Sequence, residues 1–175
     1  MPLESKIPLD TDGICRILVK HQVSFIVIGG VAGFLHGSGL NTLDLDLIPQ
    51  MSDLNLHRLS NALIEMNAEV MFAGKVRNTG DGDWLKASNT WNLATDFGRL
   101  DVMLTASGAG GYSELEGNAE RHELVSSGLI IQVAGLDDLI AMKEAAGRNK
   151  DLLALPVLRW LRDRGPDDEE PTGLA

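Results

Sequence analysis

The chain has 175 residues, with 15 Lys+Arg against 25 Asp+Glu, a formal charge of −10, 44% apolar and 23% charged residues. That length fits one domain with a full core, and the composition excludes wholesale disorder. A single cysteine, Cys15, excludes an internal disulfide, and the longest apolar run (residues 25–35, with three glycines) is too short for a membrane span of about 20 residues.

The elements follow in chain order. Asp12 is placed to cap a helix in which Ile14, Ile17, Leu18 and His21 recur at helical spacing. Residues 24–28 are a buried strand stopped by Gly29-Gly30, and 31–36 a short helix closed by Gly37-Ser38-Gly39. Residues 43–48 alternate apolar and acidic as far as Pro49, a half-buried strand with Leu43, Leu45 and Leu47 turned to the core. Ser52 caps a helix over 53–66 with Leu56, Leu59, Leu63 and Met66 on one stripe. Residues 70–73 read as a further strand, 74–83 as loop, and 90–94 with 99–104 as a hairpin with a longer turn. Strand 129–133 precedes a helix over 136–146 ended by Gly147, and Pro156 divides 150–164 into two short helices. Residues 165–175, with four acids, two prolines and no base, read as a disordered acidic tail beyond a single domain over 1–164. The N-terminus shows no basic-then-apolar leader, so a cytoplasmic protein with no membrane partner is expected. The order predicts an α+β fold rather than a doubly wound parallel sheet.

Chemistry concentrates in Asp44-Leu45-Asp46. Side chains at i and i+2 share a strand face, so the two carboxylates project together. They repel and raise each other's pKa unless a cation lies between them, and a hard divalent ion such as Mg²⁺ takes oxygen ligands. The competing reading is the solvated face of an amphipathic strand. Asp101 in a largely apolar strand tips the choice, because acids are depleted from strands. Three carboxylates on adjacent strands can hold one or two metals for phosphoryl or nucleotidyl transfer. Gly29-Gly30, between a buried strand and a helix, is where backbone N–H groups can cradle a phosphate.

Gly29-Gly30-Val31-Ala32, His36-Gly37 and Thr42-Leu43-Asp44-Leu45-Asp46 resemble the core motif of nucleotidyltransferases of the DNA-polymerase-β type. Lys143-Glu144-Ala145-Ala146 and Arg148-Asn149-Lys150-Asp151 resemble the Lys-x-x-Ala and Arg/Lys-x-Lys-Asp motifs of the AbiEii-type branch, many of whose members are toxins of bacterial toxin–antitoxin pairs. The resemblance runs over residues 25–155. It implies a short mixed sheet carrying the carboxylates, helices on the other face, and Mg²⁺-dependent transfer of a nucleoside monophosphate from an NTP to an acceptor hydroxyl. Asp44, Asp46 and Asp101 would hold the metal, with Asp101 also activating the acceptor. Gly29 and Gly30 would hold the triphosphate through backbone N–H groups, and Lys143, Arg148 and Lys150 would neutralise its charge. The implied acceptor is RNA, such as the 3′ end of a tRNA, with a cognate antitoxin protein as partner. A small hydroxylated acceptor of the antibiotic type suits the acidic body better, since RNA affinity rests on cations meeting phosphates. A degenerate member kept for binding is the third reading. It rests on Val31 and Leu40, which stand where the family often has Ser and Arg.

The remaining candidates read as structure. His36 is packing or a helix cap, Asp151 a cap of the last helix, and Trp84 and Trp91 core or hairpin residues rather than base-stacking ones. Cys15 lies on the apolar stripe of the first helix.

Overall fold

Capping and alternation set most of the element boundaries. The computed structural model describes residues 7–71, the backbone of 74–75, and residues 81–164; the expected acidic tail and part of the expected loop at 74–83 lie outside the described residues. Its elements are α1 (Thr11–Lys20), β1 (Phe25–Ile28), α2 (Gly29–Leu35), β2 (Asp44–Pro49), α3 (Asp53–Glu65), β3 (Glu69–Val70) and β4 (Gly74–Lys75). After a 3₁₀ turn at Asp83–Ala87 come β5 (Thr90–Thr95), β6 (Gly98–Met103), α4 (Tyr112–Leu115) and a 3₁₀ turn at Glu116–Asn118. The chain continues through β7 (Glu120–Leu124), β8 (Leu129–Val133), α5 (Leu136–Ala146) and α6 (Asn149–Arg164).

The strands form one mixed sheet in the order β4-β3-β5-β6-β2-β1-β8-β7. β2 runs parallel to β6 and antiparallel to β1, while β1 runs parallel to β8. Period-two alternation then sorts the central strands: Leu45, Leu47, Leu100 and Val102 are fully buried on one face, and Asp44, Asp46 and Asp101 stand on the other. The buried set shares one core with Leu56, Leu59, Leu63 and Met66, the predicted stripe of α3, each worth about 1.5–3 kcal/mol of burial. Ser52 caps α3 as expected, accepting from the Asn55 N–H.

Five local expectations are corrected. Asp10, not Asp12, caps α1, accepting from Gly13 N; Asp12 sits in the first turn, where its charge favours the helix dipole. Leu43 precedes β2 and is 82% exposed, so only Leu45 and Leu47 enter the core. The β5–β6 hairpin closes tightly, with Thr95 paired to Gly98 and only Asp96 and Phe97 between them. Residues 74–75 pair with β3 rather than lying in a loop. Finally, α6 is one helix through Pro156: that residue lies on the exposed face, so the carbonyl it leaves unpaired, four residues back on exposed Leu152, meets water.

Candidate active site

The β2–β6 register brings the acids together. Asp46 is the direct neighbour of Asp101, and Asp44 that of Arg99, all on one sheet face. Thr42 orients Asp44: its hydroxyl lies 2.9 Å from Oδ1 and 3.2 Å from the Asp44 carbonyl oxygen. Burial, then the charges of Asp44 and Asp101, push the Asp46 carboxyl up to about 7, while Lys150 and Lys143 pull it back. Asp101 is also raised, chiefly by burial, with Asn92 on β5 and Arg99 tempering the shift. Its Oδ1 is nevertheless buried with no hydrogen-bond partner among the described residues. A partnerless buried carboxylate oxygen beside two further carboxylates is a donor set of hard oxygens short of one cation, and it fits Mg²⁺.

The glycine turn abuts this cluster. Gly29 has φ +68°, and a Cβ there would overlap the Asp46 carboxylate; one at Gly30 would lie 2.7 Å from the Thr42 side chain. Only glycine lets the start of α2 approach the acids so closely. From the other side come α5 and α6. Asp151, in the first turn of α6 with its side chain 1% exposed, accepts from Lys143 Nζ at 3.1 Å and Arg148 Nε at 2.6 Å. Burial alone would raise the Asp151 carboxyl, but these two hydrogen bonds outweigh it and hold it below the ordinary range. Lys150 makes no salt bridge among the described residues.

One cleft of about 190 Å³ is lined by Gly29, Gly30, Asp44, Asp46, Asp101, Lys143, Arg148 and Lys150, the residues read from the sequence as metal- and nucleotide-binding, and by Asp151. Leu40 also lines it, whereas Val31 is buried and faces a neighbouring groove, so a hydroxyl at that position is not among the cleft groups. His36 is the C-cap of α2 and bonds the Ala134 carbonyl through Nε2, a structural role. Trp84 and Trp91 meet edge to face at 5.0 Å, their indole N–H groups donating to Ser60 and Leu85, and neither lines the cleft. Burial pushes the Cys15 thiol up to about 12, leaving it unreactive.

Sequence reasoning passed over three contributors. Arg99 stands two residues from Asp101 on the same strand face, a spacing that was readable. Thr42 was part of a motif but had no role. Asp151 was read as a cap; its hold on two cations depends on burial, which spacing alone cannot reveal.

No family model matches the chain, and no curated protein matches it significantly. Solved structures do. A lincosamide antibiotic adenylyltransferase with lincomycin bound superposes with a TM-score of 0.60 at 12% identity, over 88% of this chain and 99% of that one. The antibiotic-resistance factor ANT(2″)-Ia gives 0.52 at 13%, over 87% and 86% of the two chains. A candidate nucleotidyltransferase from Thermotoga maritima gives 0.50 at 17%, over 90% and 98%. At these identities the likeness speaks for architecture alone, and with the mixed sheet it shows that the chain has the nucleotidyltransferase fold.

Proposed function

We propose that this chain transfers a nucleoside monophosphate from an NTP to an acceptor hydroxyl, releasing pyrophosphate. The observation that carries this reading is the junction of three carboxylates, a glycine turn and three cations in one cleft. Asp44, Asp46 and Asp101 hold Mg²⁺, which when bound supplies charge neutralisation on the triphosphate. Gly29 and Gly30 offer backbone N–H groups to the phosphates, and Lys143, Arg148 and Lys150 stabilise charge that builds on the leaving pyrophosphate. Asp101, made more basic by burial, takes the proton of the acceptor hydroxyl. Asp151 positions Lys143 and Arg148.

For the acceptor, the AbiEii-type motifs at 143–146 and 148–151 support RNA, a tRNA end included, and a toxin with an antitoxin partner. One observation favours a small hydroxylated acceptor instead. A groove of about 480 Å³ shares Leu40, Asn41 and Thr42 with the cleft; Phe34, Leu35 and Val125 line it, and its charged residues are Asp12 and Glu123. Apolar walls with acidic groups suit a small cationic molecule better than a polyanion. The test is to supply Mg²⁺ and each α-labelled NTP with total RNA, aminoglycosides or lincosamides, with Asp46→Asn as control. Label on RNA supports the toxin reading, and label on a drug supports the small acceptor. No transfer and no NTP binding by calorimetry would overturn the enzyme assignment in favour of a degenerate binding protein.

A further inference from the structure

A second cluster of ligating side chains lies on the other side of the sheet. Glu120 and His122, two residues apart on β7, share a strand face. Register carries that face across the sheet: Glu120 opposes Val133, Val133 sits beside Val27, and Val27 opposes Leu47. Leu47 points away from Asp44 and Asp46, so the pair lies on the face opposite the carboxylates. His36, at the C-terminal end of α2, comes in from the neighbouring helix, its ring edge-on to that of His122 with centroids 4.8 Å apart. One ligating atom from each of His36, Glu120 and His122 lies within 4.8 Å of the other two.

The atoms face one another without bonding. The Ala134 carbonyl, 2.8 Å from His36 Nε2, can only accept, so Nε2 carries the proton and Nδ1 keeps its lone pair. The His36 side chain is 5% exposed, and Nδ1 stands 4.0 Å from Glu120 Oε2, too far for a hydrogen bond. His122 Nε2 lies 3.7 Å from the same oxygen and is buried with no hydrogen-bond partner among the described residues. Two ligands on one zinc ion stand about 3.4 Å apart, given Zn–N of about 2.0–2.1 Å in a tetrahedron. The separations from Glu120 Oε2, 4.0 and 3.7 Å, exceed that by about 0.6 and 0.3 Å, and the two imidazole nitrogens lie within 4.8 Å of each other, so side-chain rotations bring the three atoms onto one ion.

We propose that His36, Glu120 and His122 form a transition-metal site that takes Zn²⁺, separate from the carboxylate cleft. Two imidazoles and one carboxylate are a zinc donor set, with the fourth position left to water, whereas Mg²⁺ is bound by oxygens. The His36 bond to Ala134 is the outer-shell contact that fixes tautomer and ring orientation in zinc sites. A bound ion ties α2 to the edge strand β7, two elements far apart in sequence. The site is independent of the transfer reaction.

The test uses the full chain stripped with EDTA, then titrated with Zn²⁺, and with Co²⁺ as an optical probe, under saturating Mg²⁺. The expected result is one equivalent bound, with visible Co²⁺ bands typical of nitrogen ligation. Zn²⁺ at a hundredfold excess over its Kd should raise the unfolding midpoint by about 5–10 °C. Glu120→Gln and His122→Ala should each weaken binding roughly 100-fold or more, and Asp46→Asn should leave it unchanged. Glu120→Gln keeps shape at a half-exposed side chain, so the test survives if His122→Ala does not fold. No Zn²⁺ binding, binding lost in Asp46→Asn, or binding equal in all variants overturns the proposal.

Discussion

Asp46→Asn removes a charge while keeping the shape, so it separates the electrostatic cost of the site from its packing. Burial first, then Asp44 and Asp101, push Asp46 from 3.8 up to about 7, against the pull of Lys150 and Lys143. At about 1.36 kcal/mol per pH unit, ionising Asp46 in the metal-free fold costs roughly 4 kcal/mol. The sign follows from proton counts. From about pH 4 to about pH 7 the folded carboxyl keeps a proton that the unfolded one has lost, so stability falls across that window and is level above it. The amide does not titrate. The variant should therefore match wild type near pH 4 and exceed it by roughly 2–4 kcal/mol at pH 8, a midpoint rise of about 5–15 °C for a chain of this size. Urea unfolding in EDTA at several pH values measures this, and saturating Mg²⁺ should narrow the gap by stabilising only wild type. A variant no more stable than wild type at pH 8, or a difference that does not grow with pH, would refute the electrostatic account of the cleft.

Three further outcomes are expected. Gly29→Ala meets both φ +68° and the Asp46 carboxylate, so it should cost at least about 1–3 kcal/mol by thermal melting and abolish NTP binding by calorimetry. Asp151→Asn should destabilise by about 1–3 kcal/mol at neutral pH and weaken NTP binding several-fold. Because the Asp151 carboxyl is held low, that stability difference should shrink on acidification through its folded pKa. Mg²⁺ affinity should fall about tenfold per pH unit below pH 7, since Asp46 must lose its proton to bind, and calorimetry in two buffers should detect the released proton.

Much of this site was legible because its chemistry is written in local spacing. Asp44 and Asp46 at i and i+2 declare a shared face, Gly29-Gly30 declares a turn, and the stripe of α3 and the Gly147 stop of α5 gave those helices nearly to the residue. What stayed hidden needs contacts between distant segments. Asp101 reads from the sequence as a third acid of the site, but the parallel register that sets it directly beside Asp46 depends on how β2 lies against β6, which no local pattern specifies. β7 escaped because Glu120-Arg121-His122-Glu123 is charged on both faces, as an edge strand shielded against further pairing can be. Missing β7 also hid Glu120 and His122, and His36 alone read correctly as a cap.

The charges of the cleft make sense only together. Four carboxylates and three cations line it, yet no salt bridge among the described residues joins these cations to Asp44, Asp46 or Asp101: Asp151 holds Lys143 and Arg148, and Asp101 Oδ1 has no hydrogen-bond partner among the described residues. If stability alone shaped the site, these cations would pair with Asp46 and return its carboxyl to the ordinary range. Instead Asp46 and Asp101 stay raised, a cost the fold carries in the absence of ligand. Removing that cost requires a cation for the acids, and the opposing bases require an anion. A divalent metal joined to a triphosphate supplies both at once, so each half of the ligand strengthens the binding of the other. Lys150 makes no salt bridge among the described residues, yet it acts on Asp46 through space, which leaves it the cation with least to give up on meeting phosphate. Lys150→Ala should therefore weaken NTP binding more than it changes stability, the reverse of the balance expected for Asp151→Asn.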